Sequence, residues 1–217
     1  MNRRTPMDRL EKDFEKFRQQ RIAAQTVATQ NKKTVAAPAG KAPAFTTPVS
    51  ISNVIDEDHM ERNRIVAHRT RSVEADIYRQ LRTKVLQIMN ASGHKTLAIT
   101  SPHHGDGKTT VALNLGISIA LDLKQTVLLV DLDLRKPNLH QYLGIKPRAG
   151  LTDHLLRGTP LNECFIRPPF RRTSLLPART GIDRSSELLG SPKMTELAQE
   201  LKARYPDRLI IYDMPPV

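Results

Sequence analysis

The sequence predicts an α/β fold, a doubly wound and mostly parallel sheet with helices packed on both faces. Three short apolar runs predict its strands, and they begin at Thr96, Thr126 and Arg208. Such continuous runs are typical of parallel strands, because helices cover both of their faces. The segment from Val111 to Leu121 is apolar nearly all round, which indicates a buried helix directly after the first strand.

The first strand leads into the loop Ser-Pro-His-His-Gly-Asp-Gly-Lys-Thr-Thr at residues 101–110. Glycines there let backbone N–H groups approach phosphate oxygens, and the next helix directs its positive end at them. Lys108 is expected to reach the β- and γ-phosphates, and Thr109 to complete the shell of a bound Mg²⁺. Pro102 replaces the first glycine of the pattern G-x-x-x-x-G-K-[ST], and the alternative is a polar turn between core elements. The predicted ATP-binding residues are Gly105, Asp106, Gly107, Lys108, Thr109 and Thr110.

Acidic residues follow the other two strands. Asp131 and Asp133 end the strand that begins at Thr126, and Asp213 ends the last strand. Because ligands bind beyond the carboxyl ends of parallel strands, these acids are expected at the same sheet edge as the loop. We expect Thr109, Asp131 and Asp213 to hold Mg²⁺, and Lys108, Asp131 and Asp133 to be catalytic, with Asp131 orienting or deprotonating an attacking hydroxyl. The alternative for each acid is an ordinary solvated turn at a strand end.

Three segments in this order, 101–110, 130–137 and 211–217, resemble the Walker A, Walker A′ and Walker B motifs of the bacterial tyrosine kinases. These autokinases accompany capsular and exopolysaccharide synthesis. The resemblance covers residues 64–217 and includes the segments between the motifs. It implies a domain of the P-loop NTPase type that transfers the ATP γ-phosphoryl group to tyrosines of a neighbouring copy.

The same resemblance extends to relatives that are not kinases. The MinD and ParA ATPases share the deviant Walker motifs, so a nucleotide-controlled switch is one alternative function. His103 stands where the partition ATPases carry an early lysine, which favours the kinases. An inactive regulatory adaptor is a further alternative.

A charged triplet, Asp76, Arg79 and Arg82, is similar to the E-x-x-R-x-x-R signature of the kinase family, with Asp in place of Glu. In the family this element packs subunits into a ring, so the resemblance implies a ring-like homo-oligomer. The residues alone favour the solvated face of an amphipathic helix, since Ile77, Leu81, Val85, Ile88 and Met89 recur at helical spacing.

The chain divides into three predicted regions. Residues 1–25 are expected to form a short amphipathic helix, which either docks on a partner, a membrane-bound polysaccharide co-polymerase, or frays as a terminus. Residues 26–63 are rich in Ala, Pro and Thr and are expected to be a linker, so the N-terminal extension is flexible. Residues 64–217 are the P-loop kinase domain. We expect it to lack its C-terminal part, because the sequence stops four residues after Asp213.

Composition favours a cytoplasmic protein, and the resemblance implies that a partner recruits it to the inner face of the plasma membrane. The one cysteine, Cys164, excludes an intrachain disulfide, and no apolar stretch is long enough to predict a membrane span. The formal net charge of +12 can indicate an anionic partner. No nucleic-acid ligand is expected, however, because the basic residues are interleaved with acids and no nucleic-acid-binding motif is visible.

Overall fold

The structure, a computed structural model, describes residues 56–122, 125–204 and 207–217, which lie in the unit formed by Phe45–Val217. Four strands in these ranges form one sheet, with the order β1-β4-β2-β3 and every pair parallel. Their bounds are β1 (Thr96–Ile99), β2 (Thr126–Asp131), β3 (Thr173–Leu176) and β4 (Arg208–Asp213).

Eight helices are present in the described ranges, and most of them connect or flank the strands. Their bounds are α1 (Glu57–Arg62), α2 (Val73–Ser92), α3 (Lys108–Ala120), α4 (Leu139–Tyr142), α5 (Leu151–Arg157), α6 (Leu161–Cys164), α7 (Ser185–Leu189) and α8 (Pro192–Arg204). Helix α2 begins at Ser72, whose hydroxyl accepts the Ala75 N–H group. Of the helices described, none is long and apolar enough to cross a membrane.

Both faces of the sheet are buried, because side chains along each strand alternate between two apolar clusters. On one face Val127 and Leu129 of β2 pack with α3 and with side chains of α1, α2 and α4. On the other face Leu128 and Val130 pack with side chains of α5, α6 and α8. This three-layer arrangement confirms the doubly wound α/β fold, and it explains why β2 is apolar at every internal position.

Residues 56–63 belong to the folded domain, whereas the sequence predicted a linker over residues 26–63. Asp56 caps α1 by accepting the His59 N–H group at 2.9 Å. Met60 is buried in the core, and His59 Nε2 lies 2.9 Å from the carbonyl oxygen of Gln141. Composition did not predict α1, because this helix has six residues and only one of them, Met60, is buried in the core. The predicted helix at 1–25 and linker residues 26–55 lie outside the described residues.

A buried amide attaches the segment after α1 to α3. Asn114 accepts the N–H groups of Val66 and Ala67 through Oδ1 at 2.8 and 2.9 Å. Its Nδ2 donates to the carbonyl oxygens of Arg64 and Thr110 at 2.9 Å each. All four hydrogen bonds lie on a fully buried side chain, so residues 64–67 are fixed to the helix that follows the phosphate-binding loop.

The predicted helix with apolar residues on one face is α2, but its inward face differs from the one that spacing alone suggested. Met89 is buried, while Leu81 and Val85 are partly buried against the core. Ile77 and Ile88 are 59% and 68% exposed. Their apolar side chains therefore lie on the outer surface of α2.

Candidate active site

The loop between β1 and α3 has the backbone that phosphate binding requires. Gly105 and Gly107 both have φ of +89°, a conformation that other residues adopt only at a cost. Asp106 stabilises the turn, because its Oδ2 accepts the His103 N–H group at 2.9 Å. Helix α3 begins at Lys108, directly after Gly107. The exposed loop thus places a helix N-terminus, with its unpaired N–H groups, at the carboxyl edge of the sheet.

Lys108 is held by a carboxylate of the second motif. Its Nζ lies 3.0 Å from Asp133 Oδ2, in a contact between two buried groups that is an ion pair rather than a well-aligned hydrogen bond. The other oxygen of Asp133 accepts the Lys136 N–H group at 3.1 Å. A phosphate that binds Lys108 must therefore share this ammonium group with Asp133 or displace it.

Thr109 connects the loop to the third motif. Its Oγ1 donates to Asp213 Oδ2 at 2.7 Å, across a buried contact. Asp213 is directly paired with Asp131 in the register of β4 and β2, and with Ile99 in the register of β4 and β1. The strand β4, which lies between β1 and β2, thus brings the carboxyl ends of these two strands together.

Asp131 is the most completely buried acid of the site. Its Oδ2 accepts the Leu139 N–H group of α4 at 3.2 Å. Its Oδ1 is buried without a hydrogen-bond partner in the described ranges, and the same is true there of Asp213 Oδ1. Buried oxygens of this kind are rare in folded proteins and call for a ligand. Two carboxylate oxygens are therefore available next to the Thr109 hydroxyl.

Burial raises the pKa of both acids. The pKa of Asp131 lies well above its usual value, because the carboxyl is removed from water and the charge of Asp213 adds to the effect. The pKa of Asp213 rises to about 6, since burial outweighs the opposing effects of the Thr109 hydrogen bond and of Lys108. A cation bound here would stabilise the charged form of both groups.

These donors fit Mg²⁺, which binds hard oxygen ligands and prefers one or two carboxylates together with water and phosphate oxygens. Thr109, Asp131 and Asp213 supply the hydroxyl and the two carboxylate oxygens. No group of three or more His, Cys, Asp or Glu side chains in the described ranges could hold a metal ion by itself. The arrangement therefore suits a cation that arrives with a nucleotide.

Most of the residues predicted for the site lie together, namely Gly105, Asp106, Gly107, Lys108, Thr109, Asp131, Asp133 and Asp213. Thr110 is half-buried on the first turn of α3, where its carbonyl oxygen accepts Asn114 Nδ2. The Leu139 N–H group, which binds Asp131, was not predicted. The only sequence signal for it is Asn138, a residue common at the start of helices.

The predicted oligomer residues lie on α2, away from these acids in the fold. Arg79 pairs with Asp76 and donates to the carbonyl oxygens of Arg69 and Thr70 at 2.7 and 3.0 Å. Arg82 donates to the carbonyl oxygen of Ser118 at 2.9 Å. Both guanidinium groups thus have acceptors within the chain, and Asp76 is exposed.

Comparison with known proteins agrees with the geometry. Residues 97–214 match the family model of the CobQ/CobB/MinD/ParA nucleotide binding domain. The chain is 34% identical over 158 residues to the tyrosine-protein kinase YwqD of Bacillus subtilis (strain 168), covering 73% of this chain and 65% of that protein. It is 33% identical over 144 residues to the succinoglycan biosynthesis transport protein ExoP of Rhizobium meliloti (strain 1021), covering 64% of this chain and 18% of that protein.

The solved structure of the BceF tyrosine kinase domain superposes with a TM-score of 0.63 at 28% identity, over 81% of this chain and 72% of that one. This chain thus spans just under two thirds of YwqD and less than a fifth of ExoP. The matched residues include the loop, the three acids and the strands that carry them. The chain belongs to the CobQ/CobB/MinD/ParA nucleotide-binding domain family, and within that family it is similar to bacterial tyrosine kinases.

Proposed function

We propose that this protein is an ATP-dependent protein-tyrosine kinase that phosphorylates tyrosines of a neighbouring copy. The observation that carries the proposal is the convergence of Lys108, Thr109 and three buried acids at one sheet edge, where Asp131 Oδ1 and Asp213 Oδ1 have no hydrogen-bond partner among the described residues. Phosphoryl transfer depends mainly on positioning and charge stabilisation, and these groups supply both. Similarity to proteins named as tyrosine kinases supports the tyrosine hydroxyl as acceptor.

In the proposed reaction the acceptor oxygen forms a bond to the γ-phosphorus while the bond to the β–γ bridging oxygen breaks, and ADP leaves. Lys108 neutralises charge that develops on the phosphate oxygens. Asp131 Oδ1 accepts the tyrosine proton, since this oxygen has no hydrogen-bond partner in the part of the chain that the structure describes. Asp133 holds Lys108 in place. Mg²⁺, held by Thr109, Asp131 and Asp213, would supply further charge neutralisation at the phosphates.

The acceptor tyrosine has to come from outside the folded core. Tyr78, Tyr142 and Tyr212 are all partly buried, and Tyr212 lies within β4. Burial raises the pKa of Tyr78 and of Tyr212. We therefore do not expect these three hydroxyls to be the acceptors.

The proposal is tested by incubating the purified chain with ATP·Mg²⁺ and mapping phosphotyrosine by mass spectrometry. We expect phosphotyrosine on Tyr205 of a neighbouring copy or on an added acceptor peptide, and none on Tyr78, Tyr142 or Tyr212. ATP hydrolysis without any phosphotyrosine would instead support a switch of the MinD type. Failure to bind ATP would support a regulatory adaptor.

A homo-oligomer is part of the proposal, and the outer surface of α2 is the proposed contact. Val73, Ile77 and Ile88 are 75%, 59% and 68% exposed there, beside Asp76 and the partly buried Arg79 and Arg82. Exposed apolar side chains on one helix are typical of interfaces.

We expect Ile77→Glu to lower the molar mass measured by light scattering. Leu156→Glu, a matched change at a 58% exposed leucine of α5, is expected to leave it unchanged. Equal masses for wild type and I77E would contradict the proposed contact.

A membrane-bound polysaccharide co-polymerase is the proposed partner, and it would hold the protein at the inner face of the plasma membrane. The similarity to ExoP, a succinoglycan biosynthesis transport protein, supports this assignment. Residues 1–25 are the proposed docking segment, and Phe14 and Phe17 are the apolar residues proposed to contact the partner. We expect a Phe14→Asp/Phe17→Asp variant to lose the partner in a pulldown, and undiminished capture would remove the docking role.

A further inference from the structure

Outside the acids of the site, the structure contains a second buried carboxylate with several partners. Arg179 donates to both oxygens of Asp153, from Nε to Oδ2 at 2.6 Å and from an Nη to Oδ1 at 2.5 Å. Asp153 also accepts the Gly150 N–H group at 3.0 Å, at the start of α5. The Asp153 side chain is 7% exposed and that of Arg179 is 30% exposed. We call this bidentate pair the Asp153–Arg179 clasp.

The clasp holds a backbone conformation that arginine seldom adopts. Arg179 has φ of +72°, in the left-handed region, where a side chain is strained. The residues before it are fixed to α5, since Leu151 N–H donates to the carbonyl oxygen of Pro177 at 2.8 Å. Thr152 Oγ1 donates to the carbonyl oxygen of Ala178 at 2.6 Å. The backbone before Arg179 is thus fixed to α5, and Asp153 is the group that holds the Arg179 side chain.

Beyond Arg179 the chain contacts the segment that carries Asp133. Ile182 N–H donates to the carbonyl oxygen of Leu134 at 2.8 Å. A Cβ atom at Gly181 would lie 2.8 Å from the carbonyl oxygen of Arg135, so the two backbones are in close contact. Leu134 and Arg135 directly follow Asp133, whose carboxylate lies 3.0 Å from Lys108 Nζ. A continuous set of contacts thus joins the clasp to the lysine of the phosphate-binding loop.

We propose that Asp153 and Arg179 are positioning residues for phosphoryl transfer, which hold residues 179–182 as a brace against the Asp133 segment. This inference rests on the proposed kinase function. Neither residue touches the reacting groups, so they act on the orientation of Asp133 and Lys108. The Gly150 N–H group is neutral and donates to only one oxygen of Asp153. It cannot replace Arg179, because only the guanidinium fork donates to both oxygens of that carboxylate.

Three variants and one control test the proposal in the full chain. Asp153→Asn and Arg179→Gln remove the ion pair, and each is expected to lower the rate at saturating ATP about 10-fold while KM for ATP changes less than about 2-fold. Arg179→Gly also removes the pair but adopts a positive φ without strain, so it separates the two effects, and we expect it to stay as slow as R179Q because it supplies no guanidinium. Arg157→Gln is the control, because Arg157 contacts the same carboxylate at 3.4 Å from a 74% exposed position.

Hydrogen exchange gives a readout that does not depend on kinase activity. We expect the amide of Ile182 to exchange faster in D153N and R179Q, and at the wild-type rate in R157Q. Wild-type rates and exchange in both D153N and R179Q would overturn the proposal, as would an R179G variant as active as the wild type. If the wild type forms no phosphotyrosine, the proposed function fails, and the exchange data alone decide whether the clasp braces the Asp133 segment.

Discussion

Replacement of Lys108 by methionine is expected to lower phosphotyrosine formation at least about 100-fold. Lys108 is the cation that the first turn of α3 places at the carboxyl edge of the sheet, and its ammonium group is already directed towards the acids, 3.0 Å from Asp133. Methionine keeps a similar length but removes the charge that phosphoryl transfer needs. Initial rates measured with antibody or mass-spectrometric detection of phosphotyrosine check the expectation.

Lys146→Met is a matched control, since Lys146 is exposed and lies outside the three motifs. We expect its rate to equal that of the wild type. K108M also leaves Asp133 buried without its cation, so thermal unfolding must be measured in parallel to show that the variant is folded. A folded K108M variant that labels tyrosine at the wild-type rate would refute the kinase assignment.

Much of the fold follows from local sequence pattern, and β2 shows why. Its internal residues are all apolar, and in the structure they alternate between two buried clusters. A parallel sheet covered on both faces is the arrangement that buries such a run completely. The proximity of Asp131 and Asp213 follows from the same argument, because each acid ends a strand and parallel strands end at one edge.

Features that depend on contacts distant in sequence could not be predicted in the same way. Asn114 is a single polar residue in an apolar helix, and only the structure reveals that it fixes residues 64–67. Arg179 is one arginine among many, and neither its positive φ nor its pairing with Asp153 has a local pattern. The inward face of α2 was likewise misassigned, since Ile77 and Met89 both fit helical spacing and only packing on α3 distinguishes them.

Asp131→Asn and Asp213→Asn are expected to abolish phosphoryl transfer and yet to stabilise the fold. Asparagine has the shape of aspartate, and its amide oxygen can still accept the Leu139 N–H group in one case and the Thr109 hydroxyl in the other. It removes a charge whose burial is unfavourable. For Asp213, a pKa shift from 3.8 to about 6 corresponds to at most about 3 kcal/mol of free energy of unfolding at neutral pH. Loss of Asp131 as a base is expected to cost at least about 100-fold in rate.

The stabilisation has a defined pH dependence. Because the folded-state pKa of Asp213 lies above its unfolded value, its contribution to stability is fully present below about pH 4 and is lost as pH rises through about 6. Asp131 acts in the same direction, since its pKa is also raised. The difference in melting temperature between D213N and wild type should therefore be near zero at pH 4 and should grow to a plateau above about pH 7. Both proteins contain the other acids, so their contributions to the pH dependence of stability cancel in this difference. Asp153 is one of these acids, and its pKa is lowered chiefly by Arg179.

Asp183→Asn, at an exposed position, serves as the control and should show no such pH-dependent difference. A D213N variant that is less stable than wild type at pH 7 would show that the buried charge is already compensated within the folded chain. The raised pKa values would then not reflect an unfavourable burial. The expected result instead identifies the site as a place where stability is given up for function. Two acids whose charges are unfavourable in the folded chain are retained at the sheet edge, because only charged oxygens can bind the cation and accept the proton that the proposed reaction requires.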